Sequence, residues 1–290
     1  MIRFTRYLFV YEGEDGDARL RDSVSRQMKD LDKGIDYDFH AAADPEEALR
    51  HVSLYCDLHK DIDTCFVACG GDALTAAVAG GLMGAGEGKT LGVYDPSGTN
   101  SLAKYYEGMD FGSLAKLVDG TPAPIDMIRV NNSYAVNACV MGLESMVDGK
   151  GLTPSLSAVL KSSFRSVKIT VDGVALDTGS VFLFTLANGK YAGGGLHCAP
   201  LALNNDGKMD LCVIRNMPPA RLSKVLHALA SGTLADEPTF AGDYTARRAK
   251  SVEVECAKDI TLSLDGCPLI GKEFKARVVP SAVRLVVPAE

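Results

Sequence analysis

The sequence predicts an α/β protein in which an N-terminal doubly wound parallel sheet is followed by a C-terminal antiparallel β-sandwich. Three observations lead there. Through the first 120 residues, short apolar runs alternate with amphipathic segments, the pattern of repeated βα units. One run, Thr64 to Cys69, ends at Gly70-Gly71-Asp72 and continues as a helix of small residues. Beyond Gly120-Thr-Pro-Ala-Pro124, apolar runs follow one another with few helical segments between them. That stretch reads as a boundary, dividing the chain into domains 1–122 and 123–290.

Taken in order, Tyr7–Tyr11 is expected as a strand and Ala18–Leu31 as a charged amphipathic helix. Tyr37–His40 is a short strand, followed by a helix opened by Asp44-Pro45 with proline at its first position. Thr64–Cys69 is a short, β-branched and aromatic run, as in a buried strand of a parallel sheet. Gly70 and Gly71 stop it, Asp72 is a good N-cap, and the helix runs from Ala73 to Leu82. Thr90–Tyr94 is the next strand, and Asp95-Pro-Ser-Gly-Thr-Asn100 turns into a helix over Ser101–Tyr106. In a parallel sheet both glycine turns lie at the carboxyl ends of strands, on the edge where such sheets bind ligands. A strand, a glycine turn and a helix N-terminus in that order also suit a phosphate. The first N–H groups are unpaired, the dipole is positive there, and no Cβ keeps the anion away. The same residues also describe a plain tight turn with a capped helix.

In the second half, strands are expected at Ile125–Val130, Tyr134–Val140, Val167–Val171, Val181–Leu186, Leu211–Ile214, Val252–Cys256, Ile260–Leu264, Lys275–Val279 and Val283–Val287. Helices are expected at Ser155–Phe164 and Arg221–Ala230. Gly84-Ala-Gly-Glu-Gly-Lys-Thr90 imitates a Walker A loop. That motif needs glycine where this chain has Met83, and it leaves a strand rather than entering one, so the segment is a plain αβ connection.

A length of 290 residues favours two domains over a single core. A net charge of −7 argues against nucleic acid, which needs a basic footprint, and against tight docking on anionic lipid. The eight cysteines at 56, 65, 69, 139, 198, 212, 256 and 267 form no CxxC pair, so buried free thiols in a reducing compartment are expected. The first ten residues are too short and interrupted for a signal peptide, and no apolar run reaches the ~18 residues of a membrane span. A cytoplasmic protein is expected. His40, His51, His59, His197 and His227 show no metal-ligand spacing.

The chain resembles the catalytic family of diacylglycerol kinases, above all the soluble bacterial lipid kinases. The resemblance covers nearly the whole chain. It rests on Gly70-Gly-Asp72 after a strand, Asp95-Pro-Ser-Gly-Thr99, Leu186-Ala-Asn-Gly-Lys-Tyr-Ala-Gly-Gly-Gly195 with Ala199-Pro200 and Asn205-Asp-Gly207, and Leu264-Asp-Gly266. It implies an NAD kinase/diacylglycerol kinase-like fold and transfer of the γ-phosphoryl of ATP to a lipid hydroxyl, with Mg²⁺. The nucleotide would lie between the α/β domain and a β-rich domain that receives the lipid, with the last strand packed back on the first domain. Gly70, Gly71, Asp72, Ala73, Leu74, Thr75 and Ala76 would hold the phosphates, with Gly98 and Thr99 beside them. A structural Mg²⁺ would take the Asp206 carboxylate and the carbonyls of Leu203 and Lys208. An Asx turn capping a hairpin explains Asp206 equally well. The implied partners are a diacylglycerol-like lipid and, transiently, the inner membrane face; a homodimer is left open.

The chain also departs from the family. Ala73 and Leu74 replace a glycine and a threonine, Ala76 and Ala77 an asparagine and a glutamate, and Ser101 an aspartate. Tyr11-Glu-Gly-Glu-Asp-Gly16 stands in place of an Asn-Pro-x-Ser-Gly loop. A Cβ at Ala73 would cost roughly 1–2 kcal/mol if its φ were positive. The catalytic positions implied are Asp265 and Cys267, where the family reads Asp-Gly-Glu and uses a carboxylate as general base. A free thiol, with an ordinary pKa of about 8.5, is a poor substitute. Asp265 remains as base, metal contact or simple hairpin-turn residue. Two functions are therefore in view: an active lipid kinase, or a catalytically impaired relative that binds lipid or nucleotide as a sensor. A sugar or nucleoside kinase sharing the Gly-Gly-Asp turn is a third.

Overall fold

The computed structural model describes residues 4–13, 18–31, 34–86, 88–142, 147–148, 151–152, 165–193 and 195–290. The chain forms two compact units, one of residues 1–125 with 281–290 and one of residues 126–280.

The first unit contains β1 (Arg6–Glu12), α1 (Ala18–Asp30), β2 (Asp36–Ala42), α2 (Pro45–Leu58), β3 (Thr64–Ala68), α3 (Asp72–Gly81), β4 (Lys89–Val93), α4 (Ser101–Tyr105) and α5 (Leu114–Val118). The strands pair in parallel in the order β2-β1-β3-β4, and Leu285 from the end of the chain pairs in parallel with Leu91. β3 and β4 are buried along their whole length, and past Thr64 and Lys89-Thr90 their sequences hold only apolar residues and glycine, as suits strands covered on both faces. Alternation sends Tyr7, Phe9, Tyr11, Cys65 and Val67 to one face, against Val24 and Met28 of α1 and Leu114 and Leu117 of α5. Phe66 points to the other face and meets Tyr55 of α2 edge-on. There α2 packs on α3, and the small residues of α3 explain how closely. A Cβ on Gly81 would stand 2.7 Å from both the Leu49 carbonyl oxygen and Val52 Cβ. The start of α2 is as expected: Asp44 accepts from the Glu47 N–H at 2.8 Å, and the Glu47 carboxylate reaches back to the Ala43 N–H at 2.7 Å.

His40 of β2 and His51 of α2 stack with ring centroids 3.3 Å apart and planes 7° from parallel. Burial pushes both imidazoles below the ordinary 6.5. His40 adds to the effect at His51, while Glu47 opposes it at both and Asp38 at His51. The unfolded chain thus takes up protons near pH 6.5 that the folded chain refuses. Stability is fully present above that pH and is lost as the pH falls toward the lower folded values. The melting temperature should therefore drop between about pH 7.5 and 5.5, and His51→Gln should flatten that slope. Equal slopes in the two proteins would show that the pair is not responsible.

The second unit is antiparallel. The chain enters along β5 (Thr121–Val130), followed by β6 (Ser133–Ala135), β7 (Ala138–Met141), β8 (Val147–Asp148), β9 (Gly151–Leu152), β10 (Arg165–Val171), β11 (Val174–Leu176), β12 (Ser180–Ala187) and β13 (Met209–Arg215). Then come α6 (Pro219–Ala230), β14 (Tyr244–Ala249), β15 (Ser251–Leu264) and β16 (Cys267–Val287), whose last residues belong to the first unit. β10 and β7 each pair with both β12 and β15, closing a ring of four strands, and β13 and β14 extend it from β12. Phe184, Leu186, Cys139, Ile169 and Leu262 fill the inside of the ring. Phe182, Leu183 and Ile214, on the opposite face, are covered by Leu222, Val225, Leu226 and Leu229 of α6.

Gly120–Pro124, read as a boundary, lies just ahead of the division between the units at Ile125 and Asp126, with residues 121–124 forming the start of β5. Three expectations change. The runs 252–256 and 260–264 are one strand with a register shift between Glu255 and Ile260. The last two expected strands are likewise continuous in β16, passing through Ser281 at φ +48°. The five-residue helix α5 is too short to show a helical period and was not expected. The helix expected at Ser155–Phe164 lies outside the described residues.

Candidate functional site

The turn after β3 differs from expectation in one instructive way. Asp72 is the first residue of α3, not its cap; the cap is Gly71, which offers no side chain to the first N–H groups. Gly70 and Gly71 are exposed, and no heavy atom lies within 4 Å of where a Cβ on Gly71 would stand. The turn is therefore a bare set of amide donors at the positive end of a ten-residue helix. Ala73 lies inside that helix. The described non-glycine residues with positive φ are Asn131, Asp172, Asp265 and Ser281, so the strain considered for Ala73 does not arise.

Freed from capping, Asp72 joins the two turns. Its carboxylate accepts from the Ser101 N–H at 2.7 Å and from the Ser101 hydroxyl at 2.6 Å. Asn100 makes a second link, donating from Nδ2 to the Gly70 carbonyl at 3.1 Å and to the Thr75 hydroxyl at 2.8 Å. The second turn is closed by Asp95, which accepts from the Ser97 hydroxyl at 2.6 Å and the Asn100 N–H at 2.8 Å. Gly98 sits at φ +66°, where glycine is favoured. Thr99 is exposed, its hydroxyl 2.7 Å from that of Ser97. A cavity of about 390 Å³ opens beside this loop, bounded by Pro96, Gly98, Lys104, Tyr106 and Asp110. Leu74 and Thr75 are fully buried and Ala76 nearly so. Their side chains serve packing, and Thr75 also donates to the Gly71 carbonyl at 3.0 Å. What the first turn offers a ligand is backbone.

In the second unit, Asp265 and Cys267 flank the tip of the β15–β16 hairpin. Asp265 at φ +48° and Gly266 at φ +98° form the two-residue turn, with Leu264 paired to Cys267. Asp265 is buried, and its carboxylate accepts the N–H groups of Val136 (2.6 Å), Asn137 (3.1 Å) and Ala138 (2.9 Å). It thus organises the β6–β7 connection. Cys267 is half-buried. Burial also pushes the thiol of Cys139, the second residue of β7, well above its ordinary value, with the nearby Asp265 charge adding to the shift.

A buried polar network runs on from there. Asn188 donates to the carbonyls of Val136 and Asp126, both at 2.8 Å. The Asp126 N–H donates to the Asn204 carbonyl, and its carboxylate accepts the Gly207 N–H, both at 2.6 Å. Asn137 is fully buried, and its side-chain amide has no hydrogen-bond partner among the described residues. Asp126, Asn137 and Asn188 were not singled out from the sequence. The available signal was a polar residue interrupting, or directly ending, an otherwise apolar strand.

At the turn where the resemblance implies a metal, the described side chains make other contacts. The Asp206 carboxylate accepts the Lys208 N–H at 3.0 Å and is ion-paired with Arg248, whose Nε also lies 3.7 Å from Asp210. Leu203 is half-exposed. No group of three or more histidine, cysteine or acidic side chains placed to hold a metal occurs among the described residues. An apolar pocket of about 210 Å³ opens elsewhere in this unit, lined by Cys198, Leu201, Leu211, Cys212, Leu229 and Leu234.

A parallel α/β unit with two linked glycine turns, joined in sequence to an antiparallel β unit, is the architecture of the diacylglycerol kinase fold. A solved diacylglycerol kinase structure from Bacillus anthracis matches over 99% of this chain and 98% of its own, with a TM-score of 0.75 at 18% identity. A second structure from the same organism reaches 0.78, also at 18% identity, over 99% of both chains. Residues 133–287, more than half of the chain, match the family model of the YegS C-terminal NAD kinase beta sandwich-like domain. The chain belongs to the family that this model describes. A protein from Klebsiella pneumoniae named a probable lipid kinase YegS-like is 27% identical over all of this chain and 98% of its own. One from Stenotrophomonas maltophilia with the same name is 26% identical over 98% of this chain and 96% of its own.

Proposed function

We propose that this chain is an ATP-dependent lipid kinase that moves the γ-phosphoryl group of Mg²⁺-bound ATP to the hydroxyl of a diacylglycerol-like lipid. The observation that carries this reading is the uncapped start of α3, where Gly70 and Gly71 present bare backbone donors beside the Asp95–Asn100 turn. Phosphoryl transfer depends on positioning and charge stabilisation more than on covalent chemistry by the protein. A turn built from backbone therefore keeps its use although Ala73 and Leu74 have replaced a glycine and a threonine. Lipid kinase names among full-length relatives support the same reading. So does the apolar pocket near α6, which suits part of an acyl chain.

A second reading is favoured by one observation. The Asp265 carboxylate is spent on three backbone N–H groups, and Cys267 stands where the family has its glutamate. A protein lacking a base would bind nucleotide or lipid without turning over. Calorimetry with Mg²⁺–ATP, followed by phosphate transfer to diacylglycerol in mixed micelles, separates the two. No binding at millimolar nucleotide removes the kinase reading, and binding without transfer leaves the sensor. If the missing base limits the rate, Cys267→Glu should raise kcat by about ten-fold or more, within the range of general-base effects. Unchanged kcat would place the limit elsewhere.

A further inference from the structure

The family resemblance puts a divalent cation at the 203–208 turn, and this chain has placed a fixed cation there instead. Arg248 lies on β14 directly across from Asp210 of β13. From that position its guanidinium pairs with Asp206 and approaches Asp210. Mg²⁺ demands near-octahedral oxygen ligands at about 2.0–2.1 Å and dehydrates reluctantly. Here the anionic oxygens it would need accept from Arg248 and from the Lys208 N–H. A divalent ion would also sit against a guanidinium, which stays charged at every working pH. The turn does not need the ion for its shape: Asp126 clamps it from below, through its N–H on the Asn204 carbonyl and its carboxylate on the Gly207 N–H.

We propose that Arg248 occupies the place of the structural metal, so that the Asn204–Lys208 turn is held without a divalent cation, and that removing this arginine opens a metal site on Asp206. The proposal concerns the turn alone and is tested without nucleotide, so its outcome is independent of the kinase reading. The full chain is melted in EDTA and in millimolar Mg²⁺, and Mn²⁺ binding is followed by water-proton relaxation. The wild-type melting temperature should be the same in both buffers, and Asp206→Asn should not change Mn²⁺ binding. Arg248→Gln should acquire a Mg²⁺-dependent rise in melting temperature that Asp206→Asn abolishes in the double variant. Arg248→Lys, which keeps the charge, should not acquire it. A wild-type rise with Mg²⁺ that depends on Asp206 overturns the proposal. So does an Arg248→Gln protein indifferent to Mg²⁺, because the arginine would then be excluding nothing. Should Arg248→Gln fail to fold, the comparison of Mn²⁺ binding between wild type and Asp206→Asn still decides.

Discussion

Gly71→Asp is expected to make the protein slightly more stable while abolishing nucleotide binding. Gly71 has φ −76° and ψ −170°, an extended conformation open to any residue, and there is room for a side chain. An aspartate there would cap the start of α3 and complement its dipole. It would also narrow the unfolded ensemble, for a combined gain of about 0.5–1 kcal/mol. The same carboxylate would take the N–H groups that a phosphate needs and set a negative charge where the anion approaches. We expect the affinity for Mg²⁺–ATP to fall by about 100-fold or more, equivalent to roughly 2.7 kcal/mol. Thermal melting and calorimetry on one preparation measure both effects. A protein that melts higher and still binds ATP normally would mean that the turn is only a turn.

Asp72→Asn tests the link between the two turns. The carboxylate holds both the N–H and the hydroxyl of Ser101, a fully buried residue at the start of α4. Hydrogen bonds to a charged group contribute about 1.5–3 kcal/mol, against about 0.5–1.5 for neutral ones. The amide can also present an N–H where Ser101 already donates. Loss of about 1–2 kcal/mol should loosen the Asp95–Asn100 turn and displace Thr99. We expect roughly a ten-fold weaker nucleotide affinity together with a lower melting temperature. A drop in stability with unchanged affinity would make Asp72 a purely structural tie and detach Thr99 from nucleotide binding.

Much of this was readable in the chain itself. The buried strand β3 announces itself as a run that is apolar from Cys65 onward, because a parallel strand covered on both faces has no polar side to show. Asp44-Pro45 marks the start of α2 because capping is a local contract between residues three apart. The glycine turn and the Asp265-Gly266 hairpin are legible for the same reason, since positive φ and bare amides are properties of a few consecutive residues. The reading failed where one residue serves another far away. Asp72 looked like a cap because the sequence cannot show Ser101, 29 residues on, claiming its carboxylate. The pairing of Asp206 with Arg248, 42 residues distant along the chain, is likewise invisible in the sequence.

The alternation of elements, the two glycine turns and the family are all written in short-range pattern and can be read from the chain alone. What the acidic side chains do emerges with folding: Asp72 joins turns, Asp265 organises three backbone amides, and Asp206 pairs with an arginine. A carboxylate's role is set by which donors surround it, and strand pairing draws those donors from remote parts of the chain.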